Sequence, residues 1–468
     1  MKDRIWFGRR AARILRIFVA FTPLVLAGQP GNASAQTLTI LRLFGGRRYD
    51  GVGPRAGLVQ ANDGNFYGTT YEGGTSGNCS EGCGTVFRIS ASGSYTSLYS
   101  FVGSPNDGYE PMAGLVQGSD GNLYGTTLYG GTNYGGTVFR ISPSGIYTSL
   151  YWFGSQPNDG KNPGAALLQS SDGNFYGTTT AGGTKGRGTV FRISPSGSET
   201  NLYSFAGPPN DGDGPHAGLV QGNDGNFYGT TIAGGTYGYG TVFQISPSGS
   251  ETNLHSFAGY SDGYYAEAGL VQGSDGNLYG TTEYNVFTIG PGGSYSNLYT
   301  FGIQPNDASD CQAGLVQGSD GNFYGTTATG GIGGGTLFRI TPSGTFTILY
   351  SFGSQPNDGI NPDAGLVQGS DGNFYGTALI SVFRFSVPLN PPANQISAAQ
   401  ALGNDLAISI PSVEGETHQL QFSTNFTSGI WSNINGVSVT NSIGALLTVT
   451  NFGGAVGPQG FYRFDITP

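Results

Sequence analysis

Few side chains in this chain could perform acid–base chemistry. Its 468 residues hold three histidines, His216, His255 and His418. His216 and Glu267 each stand immediately before a copy of one repeated phrase, so they could form a general acid–base pair. Glu267 and Asp363 occupy the same position in other copies and could form the paired carboxylates of glycoside hydrolysis. No nucleophile elbow and no zinc-helix signature accompanies them. His255 replaces a tyrosine of its repeat and reads as packing. No catalytic residue is assigned, and no cofactor.

The repeated phrase is Ala-Gly-Leu-Val-Gln, at Ala56, Ala113, Ala217, Ala268, Ala313 and Ala364, with Ala-Ala-Leu-Leu-Gln at Ala165. The residue before it reads Arg55, Met112, Gly164, His216, Glu267, Gln312 and Asp363. The surrounding letters hardly change, yet this one differs in every copy. A polar ligand contacted by Arg55, His216, Glu267, Gln312 and Asp363 would explain that variety; solvated loop ends free to drift would explain it too. Tyr129, Tyr134, Tyr237 and Tyr239 lie in loops and could stack on sugar rings, or cover neighbouring repeats. Asn-Asp-Gly recurs at 106–108, 158–160, 210–212 and 357–359, which invites calcium, but each loop has too few oxygen ligands and Asx turns explain the same residues. No metal site is assigned. Cys79 and Cys83, in a Gly-rich insertion, are expected to form a small disulfide, leaving Cys311 as a buried or partly buried thiol.

The elements that must position these residues are short strands. Copies of the phrase lie 45 to 57 residues apart, a period that with several strands per unit points to a β-propeller. In the second copy, 113–117, 122–127, 137–142 and 147–153 read as four strands. Asp-Gly-Asn, present in all seven copies, makes the first hairpin turn, and Ser-Pro-Ser-Gly the last. The small Ala-Gly suits the crowded axis, and the aromatic fourth strand suits the rim. Tyr67, Tyr124, Tyr176, Tyr228, Tyr279, Tyr324 and Tyr375 recur in the second strand and are expected to be buried between blades. Repeat seven lacks its fourth strand, whereas residues 37–44 supply one ahead of repeat one. The expected fold is all-β: a seven-bladed propeller over 36–389, closed by an N-terminal strand so that no sheet edge stays open. Alternating segments, Trp431 and Phe461-Tyr462-Arg463-Phe464 predict a small β-sandwich over 390–468.

Charge and leader limit the partners. Lys2, Arg4, Arg9, Arg10, Arg13 and Arg16 precede an apolar run, Ile17 to Gly28, and Ala33-Ser34-Ala35. Residues 1–35 therefore read as a signal peptide, too short to persist as a membrane span, and the chain as secreted, extracellular or periplasmic. Its removal takes away six cations and one anion, moving the formal charge from −10 to −15. Only Lys161 and Lys185 then remain as lysines, and such a surface repels nucleic acid and anionic membranes. No integral membrane segment is expected after processing.

Together, Asp-Gly-Asn-Phe-Tyr-Gly-Thr-Thr, Gly-Thr-Val-Phe-Arg-Ile-Ser and Gln-Pro-Asn-Asp-Gly resemble the bacterial extracellular GloVer-type tandem repeat, over residues 37 to 386. The C-terminal segment, with Gln419-Leu420-Gln421-Phe422-Ser423-Thr424-Asn425, looks like a small β-sandwich module found at the ends of secreted bacterial proteins. The resemblance implies an exported surface or extracellular protein and supplies no catalytic residues. Members often end in a sorting anchor, which is not found here. The expected function is non-catalytic binding or surface interaction through the loop-rich face, with carbohydrate as ligand class and a polysaccharide or cell-surface protein as partner. A propeller-type polysaccharide lyase or glycoside hydrolase is the alternative.

Overall fold

In the computed structural model, residues 36–45, 50–260, 262–355 and 357–386 are described in full, together with the backbone of Ile14–Leu15 and of the strands between 398 and 467. Apart from Ile14–Leu15, the expected leader lies outside the described residues, as do Pro388, Pro391, Pro392 and Trp431. Seven four-stranded antiparallel sheets follow one another over Thr37–Ser386, one per repeat. In the second blade they are Val116–Gln117, Leu123–Thr127, Thr137–Ile141 and Tyr147–Trp152.

The innermost strand is shorter than the expected 113–117. Only its last two residues pair within the blade, because the Ala-Gly portion faces the neighbouring blades instead. The Thr126 hydroxyl of blade two donates to the Ala165 carbonyl of blade three, and the same bond runs from each blade to the next, ending with Thr377 to Ala56 at 3.0 Å. A Cβ on Gly57 would sit 3.0 Å from the Gly365 carbonyl, so the axis has room for little more than backbone. Gln117 and its equivalents reach across as well: its amide oxygen accepts from the Asn62 backbone N–H. Most letters of the repeated phrase are thus accounted for by contacts between blades.

The recurrent tyrosines lie where expected. All seven are buried, and each donates its hydroxyl to the Asp of its own Asp-Gly-Asn turn, as Tyr124 does to Asp120 at 2.8 Å. They pack on the next blade, Tyr124 against Phe175 at 4.1 Å and Tyr375 stacked on Phe66 across the closure at 4.0 Å.

The closing strand is Thr37–Leu43, outermost in blade seven and antiparallel to Ser381–Ser386. Its register slips between Ile40 and Arg42, leaving Leu41 unpaired, as Leu150 is in blade three's neighbour, blade two. Such bulges add local twist. In six of the seven blades the carbonyl of the bulged leucine faces the turn glycine of the following blade; a Cβ on Gly93, at φ +89°, would lie 2.9 Å from the Leu41 oxygen. The N-terminal strand therefore makes the same leucine-to-glycine contact as the fourth strands of blades one to five.

A second unit comprises Met1–Gln36 and Val387–Pro468. It contains a three-stranded sheet, Ala398–Leu402, Asp405–Pro411 and Leu446–Asn451, and a four-stranded one in the order Ile14–Leu15, Phe461–Thr467, Thr417–Ser423, Ser432–Thr440. Its described elements are all strands, as expected of its alternating sequence. No helix among the described residues is long and apolar enough to cross a membrane.

Candidate functional site

One face of the propeller carries the long connections, those entering each blade and those joining its second and third strands. In blades one, two, three, four and six these two loops pair as a two-residue ribbon, such as Gly108–Tyr109 with Tyr129–Gly130. The sequence did not announce these ribbons. They hold the loops against each other and fix the start of the inner strand, where the variable ring residue sits.

The Asn-Asp-Gly loops owe their form to internal hydrogen bonds. Asp107 is buried and accepts from the Tyr99 hydroxyl at 2.8 Å, the Tyr147 hydroxyl at 2.6 Å and the Val102 N–H at 2.9 Å. Asp159 and Asp211 accept from Tyr151 and Tyr203 in the same way. Each of these carboxylates accepts from at least one tyrosine hydroxyl, as in an anchored turn. We expect the melting temperature to be unchanged by excess EDTA; a fall of several degrees, restored by Ca²⁺, would reinstate the metal. In the fourth blade His255 takes the tyrosine's place, with Nε2 3.0 Å from Asp262 and its ring stacked on Tyr295 at 4.1 Å. His255 is packing, as its position in the repeat implied. His418 lies in a strand whose side chains are outside the described residues.

The disulfide is present, Cys79–Cys83, within blade one's insertion. Cys311 is buried, and burial pushes its thiol up to about 12, so it stays protonated and hydrogen-bonds the Thr326 carbonyl.

The ring residues differ in their surroundings. Arg55 is exposed and lies over the Tyr71 ring, 4.7 Å from its centroid. Asp363 is half-buried, with Oδ1 lacking a hydrogen-bond partner. Burial lifts its carboxyl to about 6, although Arg55 across the closure pulls it down; Asp310 adds to the lift. Burial lowers the His216 imidazole, and no hydrogen bond or ion pair joins it to Glu267 among the described residues.

Glu267 and Gln312 do come together, on a cavity of about 290 Å³ lined also by Tyr265, Glu283, Asp310 and Cys311. Gln312 Nε2 donates to Asp310 Oδ1 at 3.0 Å. Burial raises the Glu267 carboxyl, and the neighbouring Asp310 and Glu283 raise it further. Of the loop tyrosines, Tyr134 is 63% exposed and Tyr239 43%, while Tyr129 stacks on Tyr109 at 5.5 Å and so covers its own ribbon. Tyr239 approaches Tyr264 at 6.2 Å, the edge of a cluster in which Tyr264 meets Tyr265 at 5.1 Å and Tyr284 at 5.2 Å. Tyr260, Tyr264, Tyr265, Tyr284, Glu283 and Asp310 were not foreseen. For Tyr260, Tyr264 and Tyr265 the signal was a departure: Tyr-Ser-Asp-Gly-Tyr-Tyr stands where five other repeats have Pro-Asn-Asp.

The Gloeobacter/Verrucomicrobia repeat model matches residues 31–170 and 75–286. No relative matches among curated proteins. A solved streptogramin B lyase is 15% identical with a TM-score of 0.53, the alignment covering 75% of this chain and 97% of the lyase. The extracellular domain of a hybrid two-component system from B. thetaiotaomicron is 12% identical with a TM-score of 0.54. That alignment covers 92% of this chain but 57% of the domain, so the chain spans little more than half of it. At such identities the likeness is one of fold.

Proposed function

Because the chain belongs to the Gloeobacter/Verrucomicrobia repeat family, we propose that it is an exported, non-catalytic binding protein that takes carbohydrate on the loop-rich face of its propeller. The observation that carries this reading is a contrast within the repeat. The constant letters are bonded between blades, while exposed tyrosines and variable polar residues gather at the loops, the usual place for recognition on a rigid scaffold. Export is supported by the basic and apolar leader and by the Cys79–Cys83 disulfide, which belongs to oxidising compartments. One of the similar folds is itself an extracellular domain.

A second reading, a glycoside hydrolase, draws on one observation: Asp363 and Glu267 are both raised, as a general acid must be. The test is binding of the chain from residue 36 onward to a polysaccharide panel, with supernatants analysed for released sugar. Retention without release is expected. Release of oligosaccharides would replace the binding reading with the enzymatic one, and no retention on any polysaccharide would reject carbohydrate.

A further inference from the structure

Blades five and six break a rule kept by the others. Proline precedes the ring position at Pro54, Pro111, Pro163, Pro215 and Pro362, whereas Ala266 and Cys311 stand there in blades five and six. The prolines pack against the blade before: a Cβ on Gly188 would lie 2.6 Å from Pro215 Cδ. The non-proline positions coincide with the 290 Å³ cavity, of which Cys311 is a wall and Ala266 the neighbour of two more, Tyr265 and Glu267. Blade five also lacks the loop ribbon, and Glu283-Tyr284 turns directly into its third strand.

The lining decides what such a cavity accepts. Glu267, Glu283 and Asp310 are acceptors, no lysine or arginine lines the cavity, and the Gln312 amide already donates to Asp310. A bound molecule must therefore bring donors and positive charge. Beside it, sharing Tyr265, lies the tyrosine group: Tyr260 is 57% and Tyr265 47% exposed, and Tyr260 meets Tyr284 at 5.4 Å. Tyrosine faces take the apolar side of a sugar ring and also attract cations. Cavity, aromatic platform and charge agree on one chemistry. Resting on the carbohydrate reading above, we infer that this pocket binds an oligosaccharide of amino sugars with free amines, one ammonium among Glu267, Glu283 and Asp310 and the adjoining ring on the tyrosines. Uronic-acid polymers would be repelled by the same carboxylates.

The experiment is calorimetric titration of the chain from residue 36 onward with four tetramers: glucosamine, N-acetylglucosamine, galacturonate and lysine. Glucosamine tetramer is expected to bind at least tenfold more tightly than the N-acetylated one, and galacturonate not to bind. Asp310→Asn and Glu267→Gln should each weaken glucosamine tetramer at least tenfold with no fall in melting temperature; asparagine tolerates the φ of +58° that Asp310 adopts. Tyr260→Ala should weaken it as well. Equal binding of the N-acetylated tetramer, or carboxylate variants without effect, would overturn the amine while leaving carbohydrate binding in place. Tetralysine binding as tightly as glucosamine would overturn the sugar in favour of a cationic peptide. If no sugar tetramer binds, this inference falls, while the carbohydrate reading is decided by the polysaccharide panel.

Discussion

The double variant Glu199→Gln, Glu251→Gln should be more stable than the natural protein at pH 8, by about 1 to 3 kcal/mol per site. At the start of the fourth strand, blade two has Tyr147, whose hydroxyl donates to Asp107. Blades three and four have Glu199 and Glu251 there instead. Each meets the carboxylate a tyrosine hydroxyl would have satisfied: Glu199 meets Asp159, and Glu199 Oε1 and Asp159 Oδ1 are both buried without a partner. Burial first, and the facing aspartate second, raise Glu199 to about 7; Asp211 does the same to Glu251, which also reaches about 7. A carboxyl that binds its proton more tightly when folded loses stability for the fold as pH rises. Below the ordinary value of 4.5 both states are protonated and nothing is lost. Between 4.5 and about 7 the unfolded chain gives up its proton first, so stability falls, and above 7 the loss is complete. The natural protein should therefore melt lower at pH 8 than at pH 5, and the glutamine variant should lose most of that difference. Glutamine keeps the shape and offers an N–H to the aspartate. Equal melting temperatures for both proteins at pH 8 would show that the glutamates are solvated and unshifted.

Removal of residues 36–45 should cost more than any single substitution in the propeller. The deletion exposes the edge Ser381–Ser386, which then offers unpaired N–H and carbonyl groups to another chain. It also removes Phe44, buried in the cluster with Leu58, Phe66, Phe87 and Tyr375 that joins blades seven and one. Arg42 goes as well, with its ion pair to Asp50 and its position over the Tyr95 ring, 4.3 Å from the centroid. We expect a melting temperature lowered by more than about 10 °C and loss of monodispersity on size exclusion. Phe44→Ala keeps the strand while opening a cavity, and should destabilise by about 3 to 4 kcal/mol without aggregation. A truncated protein that stays monodisperse and melts as before would mean that the ring closes by other contacts.

These two predictions differ in what made them visible. The closing strand was legible because a repeat is a local text: seven copies set the pattern, the missing fourth strand stood out, and residues 37–44 matched it. Leu41 even reproduces the bulged leucine of the other blades. The carboxyl pairs were not legible, since nothing in Glu-Thr-Asn-Leu says which loop aspartate it will face.

Blade number, closure, the seven tyrosines and the Cys79–Cys83 disulfide all follow from the chain itself, because each depends on periodicity, on residue size against a crowded axis, or on cysteines four residues apart. The candidate site divided differently. Arg55, His216, Glu267, Gln312 and Asp363 were marked by their variety, but only the fold decided that Glu267 and Gln312 share a cavity with Glu283 and Asp310. Side-chain neighbourhood across blades depends on loop length and on whether a proline or a smaller residue fills the seam. Those are properties of packing between segments some fifty residues apart, and they exist only once the ring has closed.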